Sequence, residues 1–226
     1  MPQRPGHPVT MLPPLLRRSF AEALDVLWPV SCAACQAPAS ALCDTCLDSW
    51  QPQRDVLDDR TLVTLGDYEG PLRDAVLACK EQGSVAVAGR LADALAPAFG
   101  EADAVAVVPP SIAGLRRRGF HAAHWAARRI ASATGARVAK LRFIGGAHGT
   151  QKQRGRDARV AADRTMRAPK RFAGRRVILF DDVVTTGATM RAAVTAVEEA
   201  AGTVQAIVAI ARTPRRDHLG LGNQRR

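Results

Sequence analysis

The run VILFDDVVTTGAT, from Val177 to Thr189, limits what this chain can become more than any other stretch. Four apolar residues, Val177 to Phe180, have the length of a buried strand, and a helical pattern from Ala188 to Ala200 follows, with Val194 and Val197 facing inward. A strand of this kind delivers the chain to the carboxyl edge of an open α/β sheet, where ligands bind. Asp181 and Asp182 fall at that edge. Adjacent carboxylates repel each other, and a cation or a set of sugar hydroxyls shared between them relieves the cost. Thr185, Thr186, Gly187, Ala188 and Thr189 come next, small residues around one glycine. There, backbone N–H groups and a helix N-terminus can converge on a phosphate, with threonine hydroxyls as added donors. The run has neither the lysine of a Walker A loop nor the glycine spacing of a dinucleotide-binding turn.

The flanking sequence supplies an alternating frame. Thr61 to Tyr68 reads as a strand, Leu72 to Gln82 and Val85 to Phe99 as helices, and Ala104 to Val108 as a buried strand ended by Pro109 and Pro110. A helix from Gly119 to Thr134 and a strand from Arg137 to Ile144 follow. Gly145 to about Lys170, rich in Gly, Arg and Gln, reads as a mobile loop with some helix. Thr203 to Ala211 is the last strand. Strands alternating with helices predict a mostly parallel, doubly wound α/β sheet. Leu16, Phe20, Ala23, Leu24 and Leu27 share one face of a short helix ending at Pro29, and Gln51 to Arg60 is a polar, proline-containing link. The expected division is a loose leader over 1–14, a helix with a cysteine module and link over 15–60, the α/β domain over 61–213 and a polar tail over 214–226.

Cys32, Cys35, Cys43 and Cys46 form two C-x-x-C pairs seven residues apart. Four thiolates in that spacing suit a closed tetrahedral site, with structural Zn²⁺ as the expected metal; an iron–sulfur cluster or free redox thiols are the alternatives. A module this small lacks a core of its own, so the metal would supply its folding energy. Cys79 reads as a small buried hydrophobe.

The chain carries 32 basic against 21 acidic residues, a formal charge of +11, which favours polyanionic partners unless the arginines are only solvated. Arg116, Arg117 and Arg118 follow the strand ending at Val108 and could lie over a pyrophosphate, or form a solvated basic loop. Lys152, Gln153, Arg154, Arg156 and Arg159 could close over a bound phosphorylated ligand or track a nucleic-acid backbone. Aromatic residues make up only 4% of the chain, so stacking platforms for bases are scarce and any nucleic-acid contact would be mainly to phosphate. His121 and His124 read as packed or solvated residues, and Lys80 as a helix C-terminal cation favoured by the dipole. No apolar run has the length of a membrane span and no uninterrupted apolar stretch marks a secretory signal, so a cytoplasmic protein is expected.

The Val177–Thr189 run resembles the phosphoribosyl pyrophosphate signature of type I phosphoribosyltransferases. That resemblance implies that Asp181 and Asp182 contact the ribose hydroxyls, that Thr185, Thr186, Gly187, Ala188 and Thr189 hold the 5′-phosphate, and that Mg²⁺ bridges pyrophosphate and ribose. In order along the chain, several pieces together resemble the ComF family of phosphoribosyltransferase-like competence proteins. They are Leu27-Trp28-Pro29, the four cysteines, the helix ending at Lys80, the Val108-Pro109 strand end, Arg116 to Phe120, and the late signature.

The ComF resemblance implies phosphoribosyl pyrophosphate as the small ligand, with single-stranded DNA and a DNA-uptake helicase as partners in natural competence. Gln153 and Arg159 fit the family's loop. Where the family reads Arg-Gly-Phe-Asn-Gln, this chain has Arg118-Gly119-Phe120-His121-Ala122, and the asparagine expected after Arg159 is replaced by Val160-Ala161-Ala162. The other readings are a metabolic phosphoribosyltransferase using a base or an amine, and a nonenzymatic adaptor for DNA or protein. No residue is assigned as the catalytic base.

Overall fold

The computed structural model describes residues 30–110, 122–144 and 166–214. Six strands form one sheet: β1 (Gln53–Leu57), β2 (Arg60–Thr64), β3 (Ala104–Val107), β4 (Arg137–Lys140), β7 (Arg176–Val184) and β8 (Thr203–Arg212). Their order across the sheet is β1-β2-β8-β7-β3-β4, and every pairing is parallel except the β1–β2 hairpin. Two short strands, β5 (Arg142–Phe143) and β6 (Met166–Arg167), pair antiparallel in a separate ribbon. The helices are α1 (Asp44–Asp48), α2 (Gly70–Glu81), α3 (Val85–Leu95), α4 (Ala122–Thr134) and α5 (Ala188–Glu199). This is the mostly parallel α/β architecture that the alternating pattern predicts.

Strand alternation sorts the core into two layers. Ile178 and Phe180 on β7, with Val105 and Val107 on β3, pack with Leu72 and Val76 of α2, Leu91 of α3 and Ile130 of α4. On the opposite face Val177, Leu179 and Ala106 pack with Met190, Ala193 and Val197 of α5 and with Phe172. Phe180 and Leu179 are fully buried on opposite faces of one strand, as a central parallel strand requires.

The connections fix where a ligand can sit. β3 leads through α4 to β4 on one side of the sheet, and β7 leads through α5 to β8 on the other, so the strand order reverses between β3 and β7. Crevices at the carboxyl ends of such a switch point are the binding positions of open α/β sheets.

Four expectations shift. The stretch 51–60, read as a polar link, contains β1: its side chains are mostly exposed on an edge strand, with only Leu57 buried. Asp58 turns that hairpin with φ 57°. The strand expected over Arg137–Ile144 breaks after β4, because Leu141 makes one more bond to Val107 before β5 leaves for β6. The helix expected to reach Phe99 ends at Leu95, where Pro97 tightens the chain into a 3₁₀ turn over Ala96–Ala98. Finally, the strand expected to stop at Phe180 continues to Val184. The leader, the helix over Leu15–Pro29, Arg116 to His121, Gly145 to Thr165 and the tail beyond Pro214 lie outside the described residues.

Candidate functional site

The longer β7 places the acid pair differently from a simple strand end. On its β3 side the last paired residue is Phe180, opposite Val107, whereas on its β8 side pairing runs on through Asp181 opposite Ala209 and Val184 opposite Arg212. Asp181 and Asp182 therefore lie where β7 outruns β3. One flank of this stretch is zipped to β8, and on the other it has no strand partner among the described residues.

Alternation gives the two acids different surroundings. Asp182 shares the face of Ile178 and Phe180, which α2 covers, and its carboxylate accepts a hydrogen bond from Lys80 Nζ at 2.9 Å. Asp181 has no cation within ion-pair distance among the described residues, and its Oδ1 accepts from the Asp182 backbone N–H at 2.8 Å. Part of its surface stays open to solvent. Even so, burial first and the Asp182 charge second push its carboxyl up to about 8, with the Lys80 charge pulling the other way. One member of the pair thus has a lysine beside it, while its neighbour resists ionisation. Cys79, fully buried on α2, feels the same centre: burial first and the Asp182 charge second push its thiol up to about 12.

The turn after β7 is held in place from outside. Gly187 takes φ 78° at the N-terminus of α5, a left-handed conformation that costs a residue with a Cβ about 1–2 kcal/mol. A Cβ there would also stand 2.7 Å from Leu57 Cδ1 of the hairpin. Arg191, one turn into α5, clamps the Asp58 carboxylate through Nε at 2.9 Å and Nη2 at 3.3 Å, and donates from Nη1 to the Thr186 carbonyl at 3.1 Å. Thr186 Oγ1 accepts from the Ala188 N–H at 3.4 Å, and exposed Thr185 and Thr186 lie beside it. Gly187 brings no side chain to cap α5, so the N-terminal end of this twelve-residue helix, the positive end of its dipole, follows directly on the acid-bearing strand.

The four cysteines are brought together as well. Their sulfurs all lie within 4.8 Å of one another, with Cys35 and Cys43 at 3.6 Å. Zn–S bonds of about 2.3 Å set the edges of a tetrahedron at about 3.8 Å, so the cluster fits a metal with little movement. Turns at Gln36 and Ala39, both with positive φ, fold the first pair back on itself. The Ala34 and Cys43 N–H groups each donate to Cys32 Sγ at 3.4 Å. Burial works against ionising Cys32, but these N–H groups, with that of Cys35, outweigh it and lower the thiol to about 6. Burial, then its cysteine neighbours, push Cys46 upward. The module also borrows packing: Leu42 is buried in the α2–α3 core, and Asp44 of α1 pairs with Arg90 of α3.

Of the residues singled out in the sequence, Asp181, Asp182 and Thr185 to Thr189 meet at one sheet edge, and the cysteines meet in one cluster. Arg116, Arg117, Arg118, Lys152, Gln153 and Arg159 lie outside the described residues. His124 is partly buried on α4; burial first, then Lys140 and Arg128, hold its imidazole below the usual range. Lys80, Arg191 and Asp58 were not legible as site residues, because each reaches its partner across about a hundred residues of chain. No helix among the described residues is long and apolar enough to cross a membrane.

Comparison with known proteins supplies the family. The model of the phosphoribosyl transferase domain matches residues 67–219, which include both crossovers, the acid pair and the Thr185–Thr189 turn. The structure of an allosteric regulatory enzyme of purine biosynthesis is similar at 26% identity and TM-score 0.37, covering 55% of this chain and 25% of that one. The glutamine phosphoribosylpyrophosphate amidotransferase of B. subtilis, complexed with ADP and GMP, is similar at 27% identity and TM-score 0.38, covering 55% of this chain and 27% of that one. The adenine phosphoribosyl transferase of Trypanosoma brucei, in complex with AMP, pyrophosphate and ribose-5-phosphate, shows 13% identity and TM-score 0.44, covering 72% of this chain and 87% of that one. The chain spans about a quarter of the length of the first two. None of the curated proteins matches. The family match takes in well over half of the sequence, and on it this chain belongs to the phosphoribosyl transferase domain family.

Proposed function

We propose that this chain binds phosphoribosyl pyrophosphate with Mg²⁺ at the β7–α5 turn and acts as a phosphoribosyltransferase-like protein of the ComF type in DNA uptake. The observation that carries the ligand assignment is the acid pair at the switch point, running directly into α5, whose N-cap residue is a glycine that brings no capping side chain. In this reading Asp181 and Asp182 take the ribose hydroxyls. The turn from Thr185 to Thr189 takes the 5′-phosphate, helped by the dipole of α5. Two neighbouring carboxylates, only one of them matched by a lysine, suit the hydroxyls and the water shell of a ligand-borne Mg²⁺. When bound, that metal would neutralise charge on the departing pyrophosphate. Arg116 to Arg118 and the segment with Lys152, Gln153 and Arg159 are the candidates for pyrophosphate contact.

The competence role rests on the ordered resemblance along the chain together with the cysteine cluster that precedes the family domain. A charge of +11 suits a polyanionic partner, and the proposal takes single-stranded DNA and a DNA-uptake helicase as partners and the cytoplasm as the location.

Calorimetric titration of phosphoribosyl pyrophosphate and Mg²⁺ tests the site. Wild type is expected to bind and the Asp181→Asn/Asp182→Asn variant to lose about a hundredfold or more in affinity, the scale of two charge-assisted hydrogen bonds. Equal affinity in both proteins would remove the acid pair from the site. Titration with single-stranded DNA at two salt concentrations forms the second arm, and affinity that does not fall with salt would count against a DNA-binding surface.

A further inference from the structure

A lysine in the last turn of a helix normally satisfies itself with the helix's own carbonyls and solvent. Lys80 does something else. α2 buries Leu72, Ala75, Val76 and Cys79 against the sheet, and this face carries the next residue to the rim of β7. There the Lys80 side chain is only 28% exposed and ends 2.9 Å from Asp182 Oδ1, whose own side chain is 17% exposed. Lysine is seldom withdrawn from water this far without a partner, and an ion pair in such surroundings is costly to leave half-made. The pair joins two elements 102 residues apart in the chain, at the one acid of the two that faces α2.

We propose that Lys80 is a positioning residue of the phosphoribosyl site, fixing the Asp182 carboxylate in one orientation through its 2.9 Å contact so that the two adjacent acids meet neighbouring ribose hydroxyls as separate, ordered groups. This rests on the ligand reading given above. Without Lys80, two like carboxylates on consecutive residues would repel each other with no cation beside them among the described residues, and nothing would orient Asp182. With it, one Asp182 oxygen is tied to α2 while Asp181 is tied only to the Asp182 backbone N–H, so the two carboxylates are held apart in orientation. Among the described residues, the groups that face this centre are Lys80 and Cys79 from α2, and Asp181 and Asp182 from β7. Cys79, with its thiol pushed upward, stays neutral and leaves Lys80 as the compensating charge.

The test compares wild type, Lys80→Met and Lys80→Arg in three measurements: melting temperature, calorimetric affinity for phosphoribosyl pyrophosphate with Mg²⁺ and for ribose 5-phosphate, and carboxyl titration by ¹³C NMR without ligand. Ribose 5-phosphate keeps the sugar and the 5′-phosphate but lacks the pyrophosphate. Lys80→Met is expected to weaken both ligands by a similar factor, about tenfold or more, with partial recovery in Lys80→Arg. It is also expected to move the Asp181 titration upward. A loss confined to phosphoribosyl pyrophosphate would make Lys80 a direct pyrophosphate contact and overturn the positioning role. A lower melting temperature with unchanged affinities would reduce the pair to a structural tie. Should wild type bind neither ligand, the phosphoribosyl reading fails by itself. The ligand-free titration then still decides whether Lys80 governs the acid pair, and an unmoved Asp181 would overturn the proposal.

Discussion

The cysteine cluster and the β7–α5 turn are both short motifs, yet they are assembled by opposite means. Cys32, Cys35, Cys43 and Cys46 lie within fifteen residues, fold back through two local positive-φ turns, and point their sulfurs at a common centre. The Asp181–Thr189 run contributes its own residues but almost none of its own support: β8 zips one flank, Lys80 holds Asp182, and Arg191 with Asp58 and Leu57 fixes the turn. A metal site can be folded by what it binds. The proposed sugar-phosphate site has to be shaped before its ligand arrives, so neighbours distant in sequence carry the cost of crowding two acids together.

The largest expected effect tests the first half of this contrast. Four thiolates in a closed site contribute on the order of 10 kcal/mol of apparent binding free energy at neutral pH. The Cys32→Ser/Cys35→Ser variant is therefore expected to lose one bound metal ion per chain and to open residues 30–50 to protease while the sheet remains folded. Metal content by mass spectrometry and limited proteolysis read the two outcomes. If residues 30–50 stayed protected, Leu42 in the α2–α3 core and the Asp44–Arg90 pair would be holding the module without help, and the contrast would break.

The next effect concerns the acid pair. Asp181 ionises at about 8 in the fold against 3.8 ordinarily, so between those values the folded protein holds a proton that the unfolded chain has lost. Stability from this group is therefore greatest at low pH and falls as pH rises from about 4 to about 8, levelling above that. Urea unfolding of wild type and Asp181→Asn at pH 5 and pH 8.5 should show a shallower decline in the variant. Identical slopes would mean that the crowding is relieved elsewhere.

What could be read from the sequence follows the same divide. The parallel α/β architecture, the strand into the acid pair and the cysteine spacing are local patterns, so periodicity and spacing carry them. β1 is hard to read in sequence because an edge strand with solvent on most of its surface shows no apolar alternation, only exposed Val56 and buried Leu57 at its end. The reach of β7 past Phe180 depends on β8 being longer than β3, a fact about register that Asp181 and Asp182 do not encode. Lys80 looked like an ordinary helix-end cation because its partner lies 102 residues away. Patterns that repeat within a few residues announce themselves; pairings that only the sheet order creates do not.

The smallest expected effect examines whether the turn's support is really borrowed. Gly187→Ala asks a residue with a Cβ to hold φ 78°, and sets that Cβ 2.7 Å from Leu57 Cδ1. The backbone strain alone predicts a loss of about 1–2 kcal/mol in unfolding free energy. The clash adds to it only if Leu57 cannot turn aside, and Leu57 is buried in the core layer that also holds Met190 and Ala193 of α5. A double-mutant cycle separates the two terms: in a Leu57→Ala background the strain persists while the clash disappears, so a smaller penalty for Gly187→Ala there measures what the hairpin imposes on the turn. Equal penalties in both backgrounds would mean that the turn is shaped by its own backbone, as the cysteine module is, and that the hairpin only covers it.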